Sequence, residues 1–154
     1  MSGDGGRRAE ILDTAARLFA SSGMRTSLKQ IADACGILPG SLYHHFDSKE
    51  AIVVELIERY RIELDEVAKN ALDDLPGDEP VRHKLLALCE AIAACGARHR
   101  AAVLQSFYEP PSRASDQLVR VAQLTPAAIE TAMLETLRLG RQTGDIRPGI
   151  DLDT

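Results

Sequence analysis

The chain has 154 residues, 45% of them apolar and only 4% aromatic, with a formal charge of −5. That is enough apolar material for a full core, and its aliphatic, alanine-rich character suits helix packed on helix. No run of eighteen apolar residues and no charged leader before an apolar stretch occurs, which excludes a membrane span and an obvious secretion signal.

The acidity is not evenly spread. Residues 1–50 carry six basic and six acidic side chains, so the entire excess of negative charge lies in residues 51–154. Three cysteines, Cys35, Cys89 and Cys95, form no even framework. A reducing cytoplasm is the natural setting for such a chain.

Residues 1–6 are glycine-rich and read as a mobile leader. From Arg7 to Ser22 the set Ile11, Ala15, Leu18 and Phe19 marks one helical face, which Gly23 ends. Ser27 and Gln30 then have capping-box spacing, and Leu28, Ile31 and Ala32 recur at helical period. Gly36 can take the positive φ that closes this short helix, and Pro39 suits the first turn of the next. Leu42 and Phe46 face inward, leaving Ser41, Tyr43, His44 and His45 largely on other faces. Asp47 reads as the cap of a long helix over 48–72, with Glu50 at its capping-box position.

Beyond this point the pattern stays helical. The run 73–78, Asp-Asp-Leu-Pro-Gly-Asp, is a breaker and a domain boundary. Pro80 opens a helix whose buried face is expected at Leu85, Leu88, Cys89 and Ile92. A break near Gly96 to Arg98 leads to a short helix ending before Pro110 and Pro111. The last helix is expected over 112–141, kinked or split at Pro126. Asp151 reads as the cap of a further helix.

Two helices joined by a tight Cys-Gly turn form a helix-turn-helix, a unit that places its second helix in the DNA major groove. The residues carrying it resemble the TetR family of bacterial transcriptional regulators in three blocks. These are Leu18, Phe19 and Gly23, then Ile31, Ala32 and Gly36, then Gly40 to Phe46 with Ser48, Lys49 and Glu50. One departure is Leu38, which stands where the family usually has a Ser or Thr cap. The resemblance implies an all-α protein with a DNA-binding domain over 1–50, the connector helix over about 48–72 and a helical effector domain over 75–154. That domain is expected to be truncated, because the family usually continues with one or two more helices; a naturally short member is the alternative.

It also implies the sites. Tyr43 and His44 meet phosphates in the major groove, with Thr26, Ser27, Lys29, Pro39, Gly40, Ser41 and Lys49 completing the DNA-binding set. An apolar effector pocket is expected to be lined by Leu88, Ile92, Cys95, Leu104, Phe107, Tyr108, Leu118, Val121 and Met133. The expected partners are a near-palindromic double-stranded operator, a hydrophobic or acyl-type small molecule and a second copy of the chain. The function expected is a repressor released by its effector. The competing reading keeps the same fold as a small-molecule-binding or protein-interaction module without DNA binding.

No catalytic set emerges, and no cofactor is expected. His44 and His45 are adjacent and point apart on a helix. Cys89 and Cys95 are assigned to different faces without a histidine at ligand spacing, so no metal is expected. His83 and His99 read as surface or interhelical residues.

Overall fold

The structure is a computed structural model that describes residues 4–106, 115–147 and 149. Among these residues all regular structure is helical: α1 (Asp4–Ser22), a 3-10 turn (Gly23–Arg25), α2 (Leu28–Ala34), α3 (Pro39–Tyr43), α4 (Lys49–Asp73), α5 (Val81–Arg98), α6 (Arg100–Ser106) and α7 (Asp116–Thr143). The helix order matches the sequence reading, and the differences lie at helix ends and at Pro126. α1 begins at Asp4 and includes Gly5 and Gly6 from the expected leader.

The first core forms where α1, α2, α3 and the start of α4 meet. Ile11, Ala15, Ile31, Leu42 and Ile52 have no exposed surface, and Phe19 and Phe46 are buried with them. Each aliphatic side chain removed from water in this way contributes about 1.5–3 kcal/mol. Gly36, with φ +65°, closes α2 as its position demands. Pro39 occupies the first turn of α3.

α4 runs through both halves of the molecule. Ile52, Leu56, Tyr60 and Leu64 repeat along its buried face, and it packs against α5, α6 and α7. Its cap is Ser48 rather than Asp47: the Ser48 hydroxyl accepts from the amide of Ala51 at 3.0 Å. The extended backbone of Ser48 places its short side chain over that amide, whereas Asp47 lies one residue too early.

In the second half, Val81, Lys84, Leu88 and Cys95 form the buried stripe of α5. Leu85 and Ile92 are half-buried, and Cys89, expected inside, is exposed. The 3.6-residue period carries the buried stripe from Leu88 to Cys95, and Cys89 falls outside it. α7 starts at Asp116, capped by Ser115, and passes through Pro126 without a break. Gly144 ends it in the left-handed conformation, φ +84°. No helix among the described residues is long and apolar enough to cross a membrane.

Candidate nucleic-acid interface

The helix-turn-helix is held by a reciprocal cap at its entry. Ser27 Oγ accepts from the Gln30 amide at 3.2 Å, while the Ser27 amide donates to Gln30 Oε1 at 2.8 Å. Both donors are amides that a helix start leaves without intrahelical partners. Burial of Leu42 and Phe46 then fixes which way α3 faces.

The opposite side of α3 is open to solvent. Pro39, Gly40, Ser41 and His44 are exposed, and Tyr43 keeps 53% of its surface. Leu38 is 76% exposed and makes no side-chain cap. This helix therefore presents a phenol, an imidazole, a hydroxyl and accessible backbone on one short rigid element. Those groups can donate to phosphate oxygens and reach base edges in a groove.

The remaining members of the DNA-binding set divide. Lys29 is exposed on α2 and paired with Asp33 one turn on, at 3.2 Å. Lys49 is half-buried and donates from Nζ to the carbonyl of Met24 at 2.7 Å. Its other two ammonium hydrogens remain for an anion. Thr26 turns inward, 3% exposed, with its hydroxyl donating to the Gly23 carbonyl at 3.0 Å. Its place is in the core beneath the turn, because the buried hydroxyl needs that internal acceptor. His45 is half-buried, and its carbonyl accepts from Arg8. The Arg8 guanidinium also lies 4.0 Å over the Phe46 ring and pairs with Glu55, joining α1, the end of α3 and α4. The sequence patterns did not single out Arg8.

Away from this face, α4, α5 and α7 line a half-open cleft of about 420 Å³. Its wall is apolar at Leu64, Leu72, Ile92, Ile129 and Ala132, with Lys69, Asp65 and Glu135 among its polar groups. Of the expected effector-lining residues, Ile92 lines it. Leu88, Cys95 and Val121 are buried, Leu118 packs on the core, Met133 is half-buried and Leu104 is 38% exposed. Phe107 and Tyr108 lie outside the described residues.

A second grouping escaped the sequence reading. Cys95 and His99 are four residues apart and share a face of the α5 end, so a histidine does stand at ligand spacing from a cysteine. Glu63 of α4 meets them, and the three potential ligand atoms all lie within 4.8 Å of one another. His99 Nε2 donates to Glu63 Oε2 at 2.6 Å, while Arg98 donates twice to Oε1, at 2.9 and 2.7 Å. The His99 bond, followed by those from Arg98, holds the Glu63 carboxyl below its ordinary range. Burial pushes the Cys95 thiol up, with Glu63 adding to the effect. The i, i+4 pairing on α5 was visible in sequence; Glu63, more than thirty residues earlier, was not.

Comparison with known proteins fits this geometry. The family model of bacterial regulatory proteins, tetR family, matches residues 11–56, which span most of α1, all of α2 and α3, and the start of α4. The HTH-type transcriptional repressor KstR2 of Rhodococcus jostii is 54% identical over 77 residues, covering 49% of this chain and 32% of that protein. KstR2 of Mycobacterium tuberculosis strain H37Rv is 36% identical over 156 residues, covering 96% of this chain and 72% of the relative. The solved structure of the ketosteroid transcriptional regulator KstR2 of M. tuberculosis superimposes with a TM-score of 0.77 at 32% identity, covering 96% of this chain and 74% of that one. PfmR, a TetR family regulator from Thermus thermophilus, gives 0.77 at 27% identity, covering 94% and 76%. The chain thus spans about a third of the Rhodococcus relative and nearly three quarters of the mycobacterial one. With the helix-turn-helix in place and the likeness running along almost its whole length, this chain belongs to the TetR family of bacterial regulatory proteins.

Proposed function

We propose that this protein is a transcriptional repressor that binds a near-palindromic operator as a homodimer and leaves it when a small hydrophobic molecule binds. The observation that carries this reading is the exposed polar face of α3, with Tyr43, His44 and Ser41 on a helix whose reverse is locked into the core. In a dimer, two such helices enter successive major grooves about 34–36 Å apart. Lys49 and the start of α4 flank the same face. The acidic body keeps non-specific affinity low and sensitive to salt.

The cavity between α4, α5 and α7 supports the effector half of the reading. Its size lies in the range that takes small organic ligands, and its walls are mainly apolar. A hydrophobic or acyl-type molecule fits those walls, with Lys69 available to an anionic end. The mycobacterial relative described as a ketosteroid regulator makes ring-based lipids the first class to try. α4 links the two sites, since it contributes Leu64 to Asp73 to the cavity and Lys49 to the DNA face. An effector shifts DNA binding only if it binds the released state more tightly than the bound one. The protein then acts in the cytoplasm, with no catalytic step. Operator binding by the purified chain, with and without ketosteroid and fatty acyl probes, tests the reading.

A further inference from the structure

The cluster on α4 and α5 is built from three different donor types, and its arrangement is more specific than an ion pair requires. Arg98 takes Glu63 Oε1 from the solvent side, leaving Oε2 turned toward His99 Nε2. A metal-binding carboxylate is commonly oriented in this way by a second group holding its other oxygen. Cys95 has no exposed surface, the His99 side chain is 14% exposed and that of Glu63 is 35% exposed, so the cluster has a buried sulfur and an open mouth.

Two further observations point to a ligand. The Tyr60 ring lies 5.5 Å from the His99 ring, and a Cβ placed on Gly96, the neighbour of Cys95, would lie 3.8 Å from the Tyr60 hydroxyl. Tyr60 is 2% exposed, yet its hydroxyl has no hydrogen-bond partner among the described residues. A buried hydroxyl of this kind can donate to a ligated sulfur. On the solvent side, Glu63 shares a depression with Glu55, Glu58, Arg59 and Glu66, where Glu55 is paired with Arg8 and Glu63 with Arg98. Glu58 and Glu66 add carboxylates to that face, while Arg17, Arg98 and Arg100 line a second depression beside His99.

We propose that Glu63, Cys95 and His99 form a site for a divalent transition ion of the zinc class, with water as the fourth ligand. Sulfur, imidazole and carboxylate are the donors such an ion accepts in tetrahedral geometry. Tetrahedral bonds of about 2.0–2.1 Å hold nitrogen and oxygen ligands roughly 3.3 Å apart. His99 Nε2 and Glu63 Oε2, now at 2.6 Å, must separate by well under 1 Å as the ion replaces their hydrogen bond. Cys95 releases its thiol proton to solvent. The proton that His99 Nε2 donates to Glu63 leaves that nitrogen, moving to Nδ1 of a neutral ring or to solvent from an imidazolium, so the Nε2 lone pair meets the metal. Thiolate and carboxylate together balance the dication. The bound ion then pins α4 to the end of α5, next to the break that starts α6.

Cobalt(II) is the direct probe, because thiolate-bound cobalt gives a charge-transfer absorption that carboxylate or imidazole alone does not. Titration of the reduced, purified chain is expected to give one saturable equivalent, displaced by zinc. Cys95→Ser removes the band, Glu63→Gln and His99→Gln weaken binding at least tenfold, and Cys35→Ser and Cys89→Ser leave it intact. Absence of a thiolate band in the wild type overturns the site, as does a band that persists in Cys95→Ser. If Cys95→Ser fails to fold, Glu63→Gln decides, and unchanged affinity there overturns the proposal.

Discussion

The ammonium of Lys49 donates to the carbonyl of Met24 across 2.7 Å, joining the first residue of α4 to the 3-10 turn that precedes α2. One side chain thus fixes the start of the connector helix against the entry to the helix-turn-helix.

Replacing Lys49 by Met keeps most of the stem but removes the donor. The Met24 carbonyl then loses a charge-assisted hydrogen bond, which costs about 1–2 kcal/mol of stability. The same change weakens operator binding if the ammonium also meets a phosphate. Urea unfolding monitored by circular dichroism, alongside DNA titration, separates the two effects. An unchanged midpoint would show that the Met24 contact contributes nothing to stability.

The two short helices are capped unequally. Ser27→Ala removes the accepting hydroxyl of the capping box and is expected to cost about 1 kcal/mol. Leu38 occupies the extended cap position of α3 without capping it, so Leu38→Ser should stabilise by about 0.5–1 kcal/mol. Thermal melts of both variants should move in opposite directions. A melt lowered by Leu38→Ser would show that the leucine is covered by something other than water.

Gly140 of α7 packs directly on Val81 of α5. A Cβ placed there would lie 2.7–2.8 Å from Val81 Cβ, Cγ1 and Cγ2, and that β-branched side chain has little freedom to retreat. Gly140→Ala is therefore expected to destabilise by about 1–3 kcal/mol. Gly140→Ala combined with Val81→Ala should recover part of the loss. Denaturant midpoints for the pair of variants measure this, and additive losses would contradict the contact.

Glu63 couples stability to pH. Its carboxyl is held below the unfolded value by His99 first and Arg98 second. The stabilisation is thus present above the ordinary carboxylate range and lost as pH falls through the lowered folded value. Glu63→Gln should be less stable than the wild type at neutral pH and converge with it in acid. Denaturation midpoints between neutral pH and about pH 3 provide the check. A constant gap would place the effect elsewhere.

Much of the DNA-binding half was legible in the sequence because its signals are local. Ser27 with Gln30, Gly36, Pro39, Leu42 and Phe46 each act within a turn or two of themselves, and each stands where its local pattern placed it. Thr26 was harder, because only the fold shows that its hydroxyl points at Gly23 rather than outward. Asp47 and Ser48 are both good caps, and the backbone chooses between them. The effector half was less legible because apolar residues on three helices look alike in sequence. Whether Leu88 or Ile92 borders a cavity depends on how α4, α5 and α7 are spaced. Glu63 joins Cys95 and His99 only when α4 and α5 pack together.

Tyr43 tests with the least disturbance whether the exposed face of α3 meets DNA, since 53% of its surface is already in water. The measurement is binding of the purified chain to operator fragments chosen from random duplex DNA, at several salt concentrations, beside a folded Tyr43→Ala variant. Saturable binding that weakens with salt and falls at least tenfold in the variant is the result expected. Equal binding by the variant would move the interface off α3, and failure to select any duplex would contradict DNA binding itself.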